Sequence, residues 1–266
     1  MKILATLGPA SNDEATIEAL ARAGADVFRI NMSHASHELL FQTVKRIRSV
    51  EERIKHPIGV LVDLQGPKLR IGKFENGPIQ LTAGDSFTLD NSTEPGNARR
   101  VQLPHPEILE AVKVGDRLLL DDGKMELRAT RVGGGAIETT AIHSGKLSDK
   151  KGVSLPDTLL GVGALTEKDH ADLLKGLEAE ADWIALSFVQ RPEDIIEVRK
   201  IVQGRAGVMA KIEKPQAVER LEEIIKLCDA FMIARGDLGV EMPLETVPGL
   251  QKRITRMTRR AGKPVV

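Results

Sequence analysis

The stretches VMAKIEKPQAVE (208–219) and FMIARGDLGVE (231–241) decide the fold of this chain. Each begins as an apolar strand and ends in a carboxylate, and a single predicted helix separates the two strands. Strands joined in this way lie parallel, so that their carboxyl ends meet at one edge of the sheet. Glu213 and Asp237, beside Lys211, therefore predict a site for a divalent cation and a phosphate-bearing ligand.

The same alternation of strand and helix runs through most of the chain. The segments KILATLG (2–8), DVFRINMS (26–33) and IGVLVDL (58–64) are predicted strands, and DWIALSF (182–188) is another. A seventh strand begins at KPVV (263–266). This repetition favours an α/β fold, a (β/α)8 barrel of TIM type that the chain would leave incomplete. A doubly wound open sheet is the alternative.

The alternation is interrupted after the third strand. Between residues 72 and 153 helical periodicity disappears, and short strand-like segments are separated by turns. The predicted organisation is a first barrel part (1–71), an inserted all-β lid domain (72–153) and a second barrel part (154–266) truncated in its seventh strand. Insertions at strand ends cover active sites and often move.

The amino-acid composition disfavours several classes of binding partner. Lysine plus arginine and aspartate plus glutamate both number 38, so the formal charge is zero and nothing favours nucleic acid or anionic lipid. No apolar run reaches the length of a membrane span. The single cysteine, Cys228, excludes an internal disulfide and is predicted to be buried. We expect a cytoplasmic protein that contacts neither membrane nor nucleic acid.

Polar side chains gather after several predicted strands. In a barrel the carboxyl ends of the strands share one rim, where ligands bind. Arginine suits two-pronged contact with phosphate oxygens, and a helix opening at RGDLG would present backbone amides to a carboxylate. The strand-end residues are Arg29, Asn31, Ser33, His34, Asp63, Gln65, Lys68, Arg70, Ser187, Lys211, Glu213, Gly236 and Asp237.

Eight motifs in a fixed order resemble the pyruvate kinase family. They are LATLGPAS, FRINMSH, VDLQGPKLR, LLLDDGK, KKGVSLP, ALSFV, AKIEKPQAVE and MIARGDLGVE, and the resemblance covers the whole chain. It implies a phosphotransferase that moves phosphoryl between phosphoenolpyruvate and ADP to give pyruvate and ATP, the last step of glycolysis. It also implies a tetramer for full-length members and a truncated chain here, for which inactivity on its own is one expectation.

The resemblance also implies roles for the strand-end residues. Glu213 and Asp237 resemble the ligands of Mg2+, with Mn2+ as an alternative. Lys211 and Arg29 resemble the cations that contact the substrate phosphoryl group, and Lys211 would also stabilise the enolate oxygen. The Gly236 and Asp237 amides resemble the donors to the substrate carboxylate.

A second group of residues resembles the nucleotide side of the family's site. Asp121 or Asp122 of LLLDDGK lies where a closed lid would reach the nucleotide-bound metal. Arg70 and His34 belong to the same nucleotide and lid group. Turn formation explains the two aspartates as well, and packing beside Ser33 explains His34.

One departure from the commoner family motif concerns K+. The matching K+ ligands are Asn31, Ser33, Asp63 and the Leu64 carbonyl, but Lys68 stands where a carboxylate is usual. A fixed ammonium could supply the charge of a bound ion. The chain resembles the K+-independent branch, so K+ is predicted to be unnecessary. A structural ion pair between Lys68 and an acid such as Glu213 is the alternative.

Two other functional classes remain open at the level of sequence. A metal-dependent aldolase or lyase acting on phosphoenolpyruvate or pyruvate would share the acidic pair but would need neither lid nor nucleotide. A non-catalytic binding remnant would bind ADP without forming pyruvate.

Overall fold

The computed structural model describes residues 1–266 and contains two sheets of six strands and a small two-stranded one. In chain order the strands are β1 (Leu4–Thr6), β2 (Val27–Asn31), β3 (Gly59–Asp63), β4 (Ile79–Leu81), β5 (Ser86–Asp90), β6 (Arg100–Gln102), β7 (Arg117–Leu120), β8 (Met125–Gly133), β9 (Ala136–Ala141), β10 (Gly145–Leu147), β11 (Val153–Ser154), β12 (Trp183–Leu186), β13 (Gly207–Ile212) and β14 (Ala230–Ile233).

The helices belong to the larger domain, with one exception. They are α1 (Glu14–Arg22), α2 (His37–Ile54), α3 (Pro106–Ala111), α4 (Glu167–Glu178), α5 (Pro192–Val202), α6 (Pro215–Glu219), α7 (Leu221–Leu227), α8 (Arg235–Glu241) and α9 (Val247–Arg260), with a 3-10 turn at Leu244–Thr246. Each of these helices is too short or too polar to cross a lipid bilayer.

The main sheet is parallel and runs β1-β2-β3-β12-β13-β14. Its strands follow one another across the sheet in chain order, and Val265 adds a parallel bridge to Phe231 of β14. A doubly wound sheet would reverse its strand order at a switch point, whereas a (β/α)8 barrel does not. The predicted α/β class with an incomplete TIM-type barrel is therefore confirmed.

The two faces of this sheet are buried differently. The outer face and the helices share the larger apolar cluster, to which α2 contributes Leu40, Val44 and Ile47. The inner face carries a small cluster that includes Leu61 of β3 and Met209 of β13. Burial on both faces explains why the strand sequences are almost continuously apolar.

The inserted segment forms its own sheet, in the order β11-β7-β8-β9-β5-β6, around a separate apolar cluster. The expectation that this segment is entirely β is wrong at one point, because α3 spans six residues within it. Pro106 occupies the first turn of α3, and Ile108 is fully buried. A helix this short has too few residues to produce a readable period.

Cys228 ends α7 and lies in the core of the larger domain, where 1% of its surface is exposed. Burial raises the pKa of its thiol to about 12. At pH 8 only about one thiol in ten thousand would be ionised, so we expect negligible labelling of the folded chain by dithionitrobenzoate. Full labelling in guanidinium serves as the control. Rapid labelling without denaturant would show that this part of the core opens readily.

Candidate active site

A cluster of charged side chains lies on the inner face of the sheet, at the carboxyl ends of its strands. Side chains two residues apart on a strand share a face, so Asp63 follows Leu61 and Lys211 follows Met209 on the inner face. The Lys211 ammonium lies 2.9 Å from Glu213 Oε1 and 3.4 Å from Asp63 Oδ1. Both carboxylates are almost completely buried. One ammonium thus joins the carboxyl ends of β3 and β13.

Arg29 extends this cluster to β2. Its Nε and Nη2 atoms lie 2.6 and 2.5 Å from Asp63 Oδ2, and its Nη1 donates to Thr6 Oγ1 on β1. The buried Asp63 carboxylate is therefore shared between Arg29 and Lys211. Adjacent strands of the sheet carry these residues in register, since Arg29 is the Cα partner of Leu61 on β3.

Ser187 and Phe188, just after β12, complete the buried part of the site. The Ser187 hydroxyl donates to the Leu64 carbonyl and accepts from Lys211 Nζ, both at 2.7 Å. The Phe188 amide donates to Glu213 Oε2 at 2.7 Å. Phe188 has a φ of +55°, and its ring packs so closely on Gly66 that a Cβ there would lie 2.6 Å away.

The contacts made by Ser187 and Phe188 are missing from the sequence-based prediction. The strand-end rule picks out Ser187 but gives it no role, although a hydroxyl beside a buried lysine could have indicated one. No sequence signal exists for Phe188, because its contribution is a backbone amide held by an unusual φ.

The pKa values of both partners of the central ion pair are raised, but for different reasons. Burial by itself would lower the pKa of Lys211, but the carboxylates of Glu213 and Asp63 outweigh it and raise that pKa. Burial raises the pKa of Glu213, and the Lys211 ammonium opposes the rise. Lys211 therefore stays charged, and a further cation beside Glu213 would favour its ionised form.

Asp237 occupies the more open side of the site. It is exposed, and its carboxylate forms no hydrogen bond or ion pair. The first helical bond of α8 runs from the Leu238 amide to the Ala234 carbonyl, so the Gly236 and Asp237 amides have no backbone acceptor. Asp237 is near enough to contribute to the raised pKa of Glu213.

A cleft of about 230 Å³ joins these groups to the inserted domain. From the larger domain it is lined by both predicted metal ligands and by the segment that follows β3. From the inserted domain it is lined by a turn and by β11. The polar lining residues include Ser33, Gln65, Lys68, Arg70, Asp122, Ser154, Gln190, Glu213, Lys214, Asp237 and Glu241.

The turn Asp121-Asp122 resolves an ambiguity in the sequence. Both residues have positive φ, of +51° and +56°. Asp121 pairs with Lys151 at 2.8 Å, whereas Asp122 lines the cleft. Of the two aspartates, only Asp122 faces the space beside Asp237.

Of Arg70 and His34, only Arg70 lines the cleft. Arg70 lines the cleft and donates to the Lys150 carbonyl at 2.7 Å. The exposed His34 side chain makes no hydrogen bond and is absent from the lining of the cleft. The structure does not bring His34 together with the other predicted nucleotide residues.

The predicted cation-site residues are brought together only in part. Asn31 Oδ1 accepts from the Ser33 amide at 3.0 Å, and the Leu64 carbonyl accepts from Ser187. Asp63 is already paired with two cations. Lys68 is exposed, lines the cleft and forms no ion pair, so the alternative of a Lys68–Glu213 pair is wrong.

A curled parallel sheet with an inserted β domain over a charged rim defines an α/β barrel protein of TIM type. The model of the pyruvate kinase barrel domain matches residues 1–266. The chain therefore belongs to the pyruvate kinase family.

Individual relatives agree with the family match. The chain is 59% identical over 265 residues to pyruvate kinase from Methylorubrum extorquens and 49% identical over 266 residues to one from Agrobacterium vitis, in each case over 100% of this chain. It also superposes with a TM-score of 0.95 on the crystal structure of a pyruvate kinase from Cryptosporidium parvum, at 30% identity and over 99% of this chain.

The chain matches only part of each relative. It spans 55% of the Methylorubrum protein, 56% of the Agrobacterium protein and 56% of the Cryptosporidium chain.

Replacing Lys211 by Met would leave two buried carboxylates without their shared cation. We expect K211M to lower the free energy of unfolding by about 3–5 kcal/mol, because uncompensated buried charge is strongly destabilising. Urea unfolding followed by far-UV circular dichroism measures the change. In the matched control K175M, which removes a half-exposed lysine paired with Glu178, the change should stay within about 0.5 kcal/mol. Equal effects of the two substitutions would contradict the structural role of Lys211.

Proposed function

We propose that this chain forms the substrate site of a phosphotransferase that moves phosphoryl between phosphoenolpyruvate and ADP, giving pyruvate and ATP in the last step of glycolysis. The observation that carries the proposal is that the buried Lys211 ammonium pairs with the Glu213 carboxylate, which lines one cleft together with the exposed Asp237 carboxylate and the inserted β domain. Membership of the pyruvate kinase family supports the choice of reaction.

The residues present fit a divalent cation. The Glu213 and Asp237 carboxylates line the same cleft, and the Asp237 oxygens have no partner within the protein. No cluster of three or more acidic, histidine or cysteine side chains accompanies them. Mg2+ suits such a site, since it retains waters and takes ligands from substrate oxygens, and Mn2+ can replace it. When bound, the ion would neutralise charge on the phosphoryl oxygens.

Lys211 supplies fixed positive charge in the proposed reaction. Its ammonium is held by Glu213, Asp63 and Ser187, so it needs little reorganisation as charge develops on the substrate. Preorganised charge in a site shielded from water is a major source of rate enhancement. Arg29, anchored on Asp63, is the second cation assigned to the phosphoryl group.

The remaining groups are assigned to binding. The free Gly236 and Asp237 amides would donate to the carboxylate of phosphoenolpyruvate. We assign ADP to the side of the cleft formed by the inserted domain, with Asp122 and Arg70 as the first candidates and His34 as a residue reached only by an extended nucleotide. We further propose that the whole protein is a cytoplasmic tetramer.

The proposal that the reaction does not require K+ rests on Lys68. Its ammonium lines the cleft and has no competing acid partner, so its charge is available to a bound anion. Asp63, Asn31 and the Leu64 carbonyl are already engaged within the protein, which leaves fewer oxygens for a monovalent cation.

We expect pyruvate formation from phosphoenolpyruvate, ADP and Mg2+ in tetramethylammonium buffer, with less than a twofold gain from K+. The assay uses this chain and a chimera in which the remaining residues of the Methylorubrum relative follow Val266, because the chain spans 55% of that relative. In the chimera, K68E should lower turnover without K+ at least tenfold and make it K+-dependent.

The matched control is K73E, which makes the same charge change at an exposed lysine near the cleft but outside it. We expect K73E to keep the K+ response of the unsubstituted chimera. Turnover that requires K+ before any substitution would contradict the role of Lys68 but not the reaction. Pyruvate formation without ADP would favour a lyase, and ADP binding without turnover a binding remnant.

A further inference from the structure

A second buried ion pair lines the cleft together with the carboxylates of Glu213 and Asp237. Lys214 Nζ is 2.6 Å from Glu241 Oε1 and 2.8 Å from Oε2. The side chains are 6% and 4% exposed, so this pair is nearly as well shielded from water as the one between Lys211 and Glu213. No residue of this pair is assigned a role in the proposed reaction.

Each member of the pair lies close in sequence to one of the two predicted metal ligands. Lys214 follows Glu213 immediately, and Glu241 lies four residues after Asp237, one turn further along α8. The ion pair therefore ties the segment leaving β13 to the helix that carries Asp237. Because Asp237 itself has no side-chain partner, its position depends on how α8 is held.

Glu241 also reaches the inserted domain. It lines the cleft together with Val153 and Ser154 of β11. β11 pairs with β7 in the sheet of the inserted domain, and β7 leads into the Asp121-Asp122 turn. The Glu241 carboxylate thus joins α8 to the segment leaving β13 at the side of the cleft that the inserted domain lines.

α8 needs such an anchor because it is intrinsically weak. It spans seven residues, includes Gly236 and Gly239, and has no side-chain cap at its start. Isolated helices of this length do not form in water, and glycine weakens them further. A buried carboxylate without its cation is strongly unfavourable, so the ion pair favours the position of α8 in which Glu241 meets Lys214.

We propose that Lys214 and Glu241 are a positioning pair that fixes the spacing between Glu213 and Asp237. The proposal rests on the assignment of those two carboxylates as the divalent-cation ligands. Supporting contacts around metal ligands typically change metal affinity by about 10–100-fold when they are removed. In this proposal the pair acts through the geometry of the two ligands.

The test is a titration of the 266-residue chain with Mn2+, followed by the electron paramagnetic resonance signal of the free ion. In the double variant K214M/E241Q we expect at least a tenfold loss of Mn2+ affinity. The double substitution removes one positive and one negative charge, so a long-range Coulomb effect on the ion is nearly cancelled. K214R keeps the ion pair, because guanidinium suits two-pronged contact with a carboxylate, and should stay within threefold of the unsubstituted chain.

The matched control is R100M/D90N, which removes another well-shielded ion pair, within the inserted domain and away from the cleft. It should leave Mn2+ affinity unchanged. Thermal melts of all variants separate the positioning role from stability, since a merely structural pair lowers the melting temperature without changing Mn2+ affinity of the folded chain.

The outcomes distinguish this proposal from the function on which it rests. Unchanged Mn2+ affinity in a folded K214M/E241Q chain would overturn the positioning role alone. Equal losses in K214R and in the double variant would also overturn it, because the retained charge pair would then be irrelevant. Failure of the unsubstituted chain to bind Mn2+ would overturn the metal site and the positioning pair together.

Discussion

The structure depends on one ammonium group placed between two buried carboxylates. Lys211 neutralises both Asp63 and Glu213, and Asp63 in turn holds Arg29. These residues come from β2, β3 and β13, with β12 lying between the last two in the parallel sheet, so their charges can be buried only if the strands keep their register. Removing one member would leave an uncompensated charge in the interior. The same constraint that holds these strand ends together therefore presents fixed positive charge to a ligand.

Around this fixed cluster the structure keeps a few groups unpaired. Asp237 has no side-chain partner, the amide of Gly236 has no acceptor, and Lys68 has no acid. All three are at the exposed side of the site. The buried carboxylates Asp63 and Glu213 are paired, whereas the exposed Asp237 and Lys68 side chains are free, as expected of a site that is organised before its ligand arrives. The Lys214–Glu241 pair extends that order to the helix carrying Asp237.

Much of the fold and of the candidate site could be predicted from the sequence. The features that could not be predicted have physical reasons. Strand–helix alternation fixes the class of fold, and the period of two within a strand places Lys211 and Glu213 together, as their 2.9 Å separation confirms. Which of Asp121 and Asp122 faces the cleft depends on two positive φ angles that many turn residues can adopt. The Lys214–Glu241 contact joins residues across a helix and a strand end, and no local spacing encodes such a contact.

We propose that the strand-end cluster binds phosphoenolpyruvate through a divalent cation held by Glu213 and Asp237. Isothermal titration of the 266-residue chain with phosphoenolpyruvate, in K+-free buffer with and without Mg2+, measures this directly. We predict binding that requires Mg2+ and that D237N weakens at least tenfold, as expected for loss of a ligand charge. Binding of equal strength without Mg2+, or unchanged in D237N, would contradict the claim.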